Sequence, residues 1–181
     1  NTDPDGYKQY CTNYKNEATE RLKDFIKKNN PPDDFINWAN TTINLDYYSA
    51  LLYNVMFKKL TSKEYLEYKA VYYDFIEDID RTFNNSIITT KHFQLSNDYY
   101  NDYLAPSIIS RYEPSNSRDH IRDSLFIDQI GTFSKNDNLN QFVISNFFNY
   151  LLKTKSLDLF EENSSAITRI VREPILLNTL R

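Results

Sequence analysis

The sequence predicts an all-α fold, a multi-helix bundle, on three observations. Apolar residues recur every three to four positions along most of the chain, the period of a helix with one buried face. Only 2 glycines occur in 181 residues, against 15 tyrosines and 12 phenylalanines. Residues that start and stop helices stand at the edges of the periodic stretches. So few glycines leave little material for tight hairpins or phosphate-cradling loops, both of which depend on positive φ. A nucleotide-binding α/β fold is therefore not expected. Hydrophobic residues make up 40% and charged residues 25%, the balance of a globular protein. The length suits a single helical domain spanning residues 1–181.

Taken in order, Asp3-Pro4 reads as an N-cap followed by a first-turn proline. Behind it Tyr7, Cys11, Tyr14, Ala18, Leu22 and Phe25 recur at helical spacing, and Asn29-Asn30-Pro31-Pro32 ends that helix. A short helix with Phe35, Ile36, Trp38 and Ala39 on one side comes next. From Tyr47 to Leu60 apolar residues surround the axis, which predicts a central helix. Thr61 and Glu64 form a capping box. It opens a helix over about residues 61–83, with Tyr65, Tyr68, Tyr72, Phe75 and Ile79 inside. Lys63, Glu67, Asp74, Glu77 and Asp78 lie outside, and Asn84-Asn85 ends the helix. Ile87 to Thr90 is β-branched and reads as extended. A helix is expected from about Ser96 to Arg111, with Pro106 able to kink it. Glu113-Pro114-Ser115 is a turn, and helices from about Ser117, Asp137 and Ser156 complete the set.

The net charge of −4 comes from interspersed acids and bases, with no basic stripe to neutralise a phosphate backbone, so nucleic acid is not an expected partner. A lone cysteine, Cys11, forms no internal disulfide and favours a reducing, cytoplasmic setting. No apolar run is long enough to span a membrane. The absence of an initial Met suggests a piece of a longer protein, whose membrane contact, if any, lies outside this stretch.

No constellation carries evident chemistry. Asp119, His120 and Asp123 share one helical turn but lack the second His or Cys that zinc sites gather, so a charged, solvated face is the better reading. Glu77, Asp78 and Asp80 are followed by Arg81, four residues after Glu77, which suits a surface ion pair. Cys11 lies on an apolar face and reads as a buried thiol rather than a nucleophile. Neither a P-loop, a dinucleotide fingerprint nor a Gly-x-Ser-x-Gly elbow is present. No catalytic residue, metal or cofactor is expected. Tyr99, Tyr100 and Tyr103, beside Asn97, Asp98 and Asp102, read as an ordinary amphipathic helix or, alternatively, as a contact surface, with at least one tyrosine exposed.

Two segments resemble the regulator-of-G-protein-signalling (RGS) homology domain, in a divergent form of the fungal type. In FINWANTTINLDYYSALLYNVMFK, residues 35–58, Phe35, Trp38, Ala50-Leu51 and Phe57-Lys58 fall at the family's spacing. From Tyr99 to Phe160, YYNDYLAPSIIS, SRDHIRDSL (with Arg118 on the family's arginine) and LNQFVISNFFNYLLKTKSLDLF match three further stretches. The helix near residues 61–83 is then an insertion. The resemblance covers about two-thirds of the chain, mostly at core positions, and implies an all-helical fold. The family's activity is to hold a Gα subunit's switch loops in their transition-state arrangement. It does so with an Asn in each of two inter-helix loops and with an acidic and a basic residue near the chain end. Those positions fall here on Tyr47, Tyr112, Lys155 and Leu159, and all four depart from the pattern; Asp46 adjoins the first and Asn116 is the asparagine nearest the second.

The resemblance together with these departures predicts a non-catalytic, RGS-like protein-interaction module in a signalling, cell-polarity or trafficking protein. Its partner-binding candidates are Asp46, Tyr47, Tyr112, Asn116, Lys155 and Leu159. The alternatives are a divergent GTPase activator that meets an unusual Gα through Asp46, Tyr47 and Tyr112, and an unrelated helical-bundle binding or inhibitor protein.

Overall fold

A computed structural model describes residues 3–53, 72–83, 88–109 and 137–153, with Asp158, Glu161, Ser164, Val171, Arg172 and Leu176 besides. The fold is all-α; among the described residues there is no strand. Helix α1 (Pro4–Asn29) starts as its sequence dictates, for the Asp3 carboxylate accepts the Gly6 N–H at 2.9 Å with Pro4 opening the first turn. It ends at Asn30, whose φ of 44° and ψ of 57° are left-handed, a conformation an Asn side chain tolerates. The Asn30 N–H closes the last turn on the Ile26 carbonyl at 2.9 Å, and Pro31-Pro32 then turn the chain.

Helix α2 (Asp33–Tyr53) replaces the two helices expected on either side of Asn40–Asn44. Its buried positions Thr41, Leu45, Tyr48 and Leu52 step by four, three and four, so an inward stripe runs unbroken through the polar stretch. Tyrosines from elsewhere tie it down: the Tyr7 hydroxyl donates to the Ala50 carbonyl at 3.0 Å, and the Tyr72 hydroxyl to that of Leu51 at 2.8 Å.

Of the expected helix over residues 61–83, the part up to residue 71 lies outside the described residues. The remainder is a short 3₁₀ turn, Tyr73–Phe75, followed by α3 (Ile76–Thr82). Tyr72, Phe75 and Ile79 face inward while Asp74, Glu77 and Asp78 face solvent, as the periodicity requires.

Helix α4 (Thr90–Asp98) begins six residues before the expected start at Ser96. Ile88 and Thr89 are non-helical, and the extended Thr89 (φ −125°, ψ 164°) is an N-cap rather than part of a strand. Its N–H is accepted by Nδ1 of His92 at 3.1 Å, a capping box with His in place of the usual Glu. The chain continues as a π-helical segment, Tyr99–Leu104, and then α5 (Ala105–Ile109). Pro106 explains the wide turn: it has no N–H for the Asp102 carbonyl, and its ring would crowd that carbonyl in a regular α-helix. The Tyr73 hydroxyl supplies the missing donor at 2.9 Å.

Helix α6 (Asp137–Lys153), starting where the sequence places it, is the interior spine. Leu139, Phe142, Val143, Ile144, Phe147, Phe148 and Leu151 are all buried, so apolar contact surrounds its axis. The chain packs α1 on α2, α2 on α4 and α4 on α6. One core cluster runs through all of them, reaching from Cys11 to Val171 and Leu176.

Candidate functional site

The two described residues of the expected partner site lie side by side, but on a helix and not in a loop. Asp46 pairs with Lys91 of α4 at 2.6 Å. The Tyr47 hydroxyl is 3.3 Å from that of Thr12, and the ammonium of Lys15 sits 4.5 Å above its ring. Burial lowers the Lys15 pKa, which suits a cation held against aromatic faces. Both residues thus bind helices α1 and α4 of their own domain. Tyr112, Asn116, Lys155 and Leu159 lie outside the described residues, as does the trio Asp119, His120 and Asp123.

The remaining chemical candidates resolve into structure. Cys11 is buried, and burial pushes its thiol up, away from the reactive thiolate. His92 is buried between Phe83 and Phe142, at 5.2 and 5.8 Å between ring centres, and burial holds its pKa down. Arg81 pairs with Asp78 at 2.8 Å, three residues back, rather than with Glu77. Among the described residues no group of His, Cys, Asp and Glu is arranged to hold a metal ion.

The tyrosine contact surface is corrected. Tyr99 and Tyr100 are buried and Tyr103 is half-buried, because the π-helical turn carries neighbouring side chains into the core. It also takes in Asp102, 5% exposed, whose Oδ2 has no hydrogen-bond partner among the described residues. Burial, with repulsion from Asp98 one turn earlier, pushes Asp102 up to about 7. Asp98 is raised by burial as well, while a hydrogen bond with Ser49 and the charge of Lys91 pull it down.

The surface that stands out lies elsewhere, at the corner where α1 hands over to α2. Trp38 is 47% exposed and Phe25 44%, with the half-buried Phe35 between them. The ring centres are 5.5 Å apart for Phe25–Phe35 and 5.8 Å for Phe35–Trp38. The left-handed Asn30 and the two prolines fold the chain back so that the end of α1 and the start of α2 bring these rings together. Lys27 and Lys28 from α1, and Asp33 and Asp34 from α2, give the corner a charged surround of both signs. An aromatic centre inside a mixed-charge rim is the anatomy of a protein contact. The periodicity sets Phe25 in the apolar series of α1 and Trp38 with Phe35, Ile36 and Ala39 on one side of the next helix, yet both rings are exposed.

Comparison with protein-family models, with curated proteins and with solved structures finds no match.

Proposed function

We propose that this domain is a non-catalytic protein-interaction module with an RGS-like scaffold, serving a signalling, polarity or trafficking protein on the cytoplasmic side of the cell. The observation that carries this reading is the exposed Phe25–Phe35–Trp38 corner. Three aromatic rings in mutual contact at a helix junction provide a large apolar area at little conformational cost, the make-up of an interface hot spot. Two further observations support recognition without GTPase activation. Asp46 and Tyr47, where the resemblance puts a Gα-contacting loop, lie within the continuous helix α2. Each is also already engaged by its own domain, through Lys91 and through Thr12 and Lys15.

Two measurements test the reading. Single-turnover GTP hydrolysis by a Gα subunit is expected to be unchanged by the purified domain, and acceleration beyond about tenfold would establish activation instead. A protein partner bound by the purified chain is expected to be lost with Phe25→Ala/Trp38→Ala and kept with Tyr150→Ala, an exposed aromatic on α6. Retention of the partner by the double variant would remove the corner from the interface.

A further inference from the structure

The outward side of α1 carries a stripe of its own. Asp3, Tyr10, Tyr14, Glu17, Arg21 and Lys28 are spaced seven, four, three, four and seven residues apart, a heptad pattern that keeps them in line on a helix. All six are exposed, with Tyr10 at 65% and Tyr14 at 67%. Among the described residues the stripe's contacts stay within α1: Asp3 accepts the Gly6 N–H at 2.9 Å, the Tyr10 ring lies 6.3 Å from that of Tyr7, and Arg21 is 3.6 Å from Glu17.

The order of these residues has a symmetry that a single copy does not use. Reversed end to end, the stripe places Asp3 against Lys28, Tyr10 against Arg21 and Tyr14 against Glu17. The first is an ion pair, the second a guanidinium on an aromatic face, and the third a phenol donating to a carboxylate. Because the register is its own mirror, each contact occurs twice about one twofold axis between Lys15 and Asn16. That is the condition for an isologous dimer. The same arrangement sets the N-cap Asp3 and the first-turn Asp5 of α1 beside the last turn of its copy, with Lys27 and Lys28. Antiparallel helix dipoles reinforce this.

We infer that the domain pairs with a second copy of itself through an antiparallel α1–α1 contact along Asp3, Tyr10, Tyr14, Glu17, Arg21 and Lys28. Helix α1 is about 39 Å long and a single stripe lies at the small end of specific interfaces, so the dimer is weak and its midpoint falls in the micromolar range. The contact shares Lys28 with the charged surround of the Phe25–Phe35–Trp38 corner but uses none of its rings, and it is tested independently of the proposed function.

Sedimentation equilibrium across the micromolar range tests it. The wild-type chain is expected to pass reversibly from monomer to dimer. Tyr10→Arg sets two arginines against each other twice and is expected to raise the dissociation constant about tenfold or more. Tyr10→Arg/Arg21→Tyr restores the pairing with the partners exchanged and is expected to bring the constant back. Lys28→Glu, which opposes Asp3 with a like charge, weakens the dimer by a separate route, and Trp38→Ala leaves it intact. Circular dichroism checks that each variant keeps its helix. A wild type that stays monomeric throughout overturns the inference. So does a dimer indifferent to both Tyr10→Arg and Lys28→Glu, or a double variant that remains as weak as the single one.

Discussion

Asp102 shows how one buried side chain sets the pH response of the domain. Its ordinary pKa of 3.8 is raised to about 7, first by burial and then by the neighbouring Asp98. A folded state that holds a proton the unfolded chain has released loses stability as pH rises. The contribution is therefore intact below about pH 4, declines through the window up to about 7, and is fully lost above it. Replacing the carboxylate with a neutral amide of the same shape removes the effect. Asp102→Asn is expected to stabilise the protein at pH 8 by about 2–4 kcal/mol and to change little at pH 4. Urea denaturation of both proteins at the two pH values measures this, and the difference between them cancels the opposite contribution of His92. An equal shift at both pH values would show that folding does not raise the Asp102 pKa. None of this is written in the local sequence. Asp98 and Asp102 stand four apart beside tyrosines and read as the polar side of an amphipathic helix, and only the wide turn ahead of Pro106 takes Asp102 into the core.

The elements divide into those whose signals are local and those decided by packing. The start of α1 at Asp3-Pro4, its end at Asn30-Pro31-Pro32 and the inward set Tyr72, Phe75 and Ile79 are fixed by caps, prolines and spacing, and all were legible. The start of α4 was hidden because His92, not Glu or Gln, returns the hydrogen bond to Thr89. The union of two expected helices into α2 was hidden because Thr41, polar by composition, is buried in line with Leu45. The π-helical segment tests this dependence on packing directly. The Tyr73 hydroxyl donates to the Asp102 carbonyl, which Pro106, four residues on, has no N–H to serve. Tyr73→Phe is expected to cost about 1–2 kcal/mol in the wild-type background. In Pro106→Ala, where a backbone N–H returns, the same substitution should cost less, with a coupling of about 1 kcal/mol between the two sites. Strict additivity in that double-mutant cycle would mean that the hydroxyl and the proline act separately.

Across the whole molecule, stability is unevenly distributed. Helix α6 buries seven large apolar side chains and is fastened on three sides. Asn138 donates to the Phe83 carbonyl at 3.1 Å and Asn146 to that of Phe93 at 2.8 Å, while Gln141 accepts the Arg172 N–H at 2.6 Å. Helix α1 is half as long again, yet its buried residues are Cys11 and Leu22. It is held otherwise by the Tyr7 and Thr12 hydroxyl contacts with α2 and by Lys8, which pairs with Asp74 at 2.6 Å and lies over Tyr72. Surface pairs of that kind add little. The first helix should therefore open before the rest. Native-state hydrogen exchange, at concentrations where the chain is monomeric, is expected to give amides in the middle of α6 the full unfolding free energy. Amides in the middle of α1 should exchange through an opening that costs less. Phe147→Ala, which empties a site closed on every side, should lower the α6 value by about 3–5 kcal/mol. Leu22→Ala should lower the α1 value while leaving α6 nearly unchanged. Equal exchange free energies for the two helices would show instead that α1 and α6 unfold as one cooperative unit, and that its thin seam couples α1 to the core as firmly as a buried spine does.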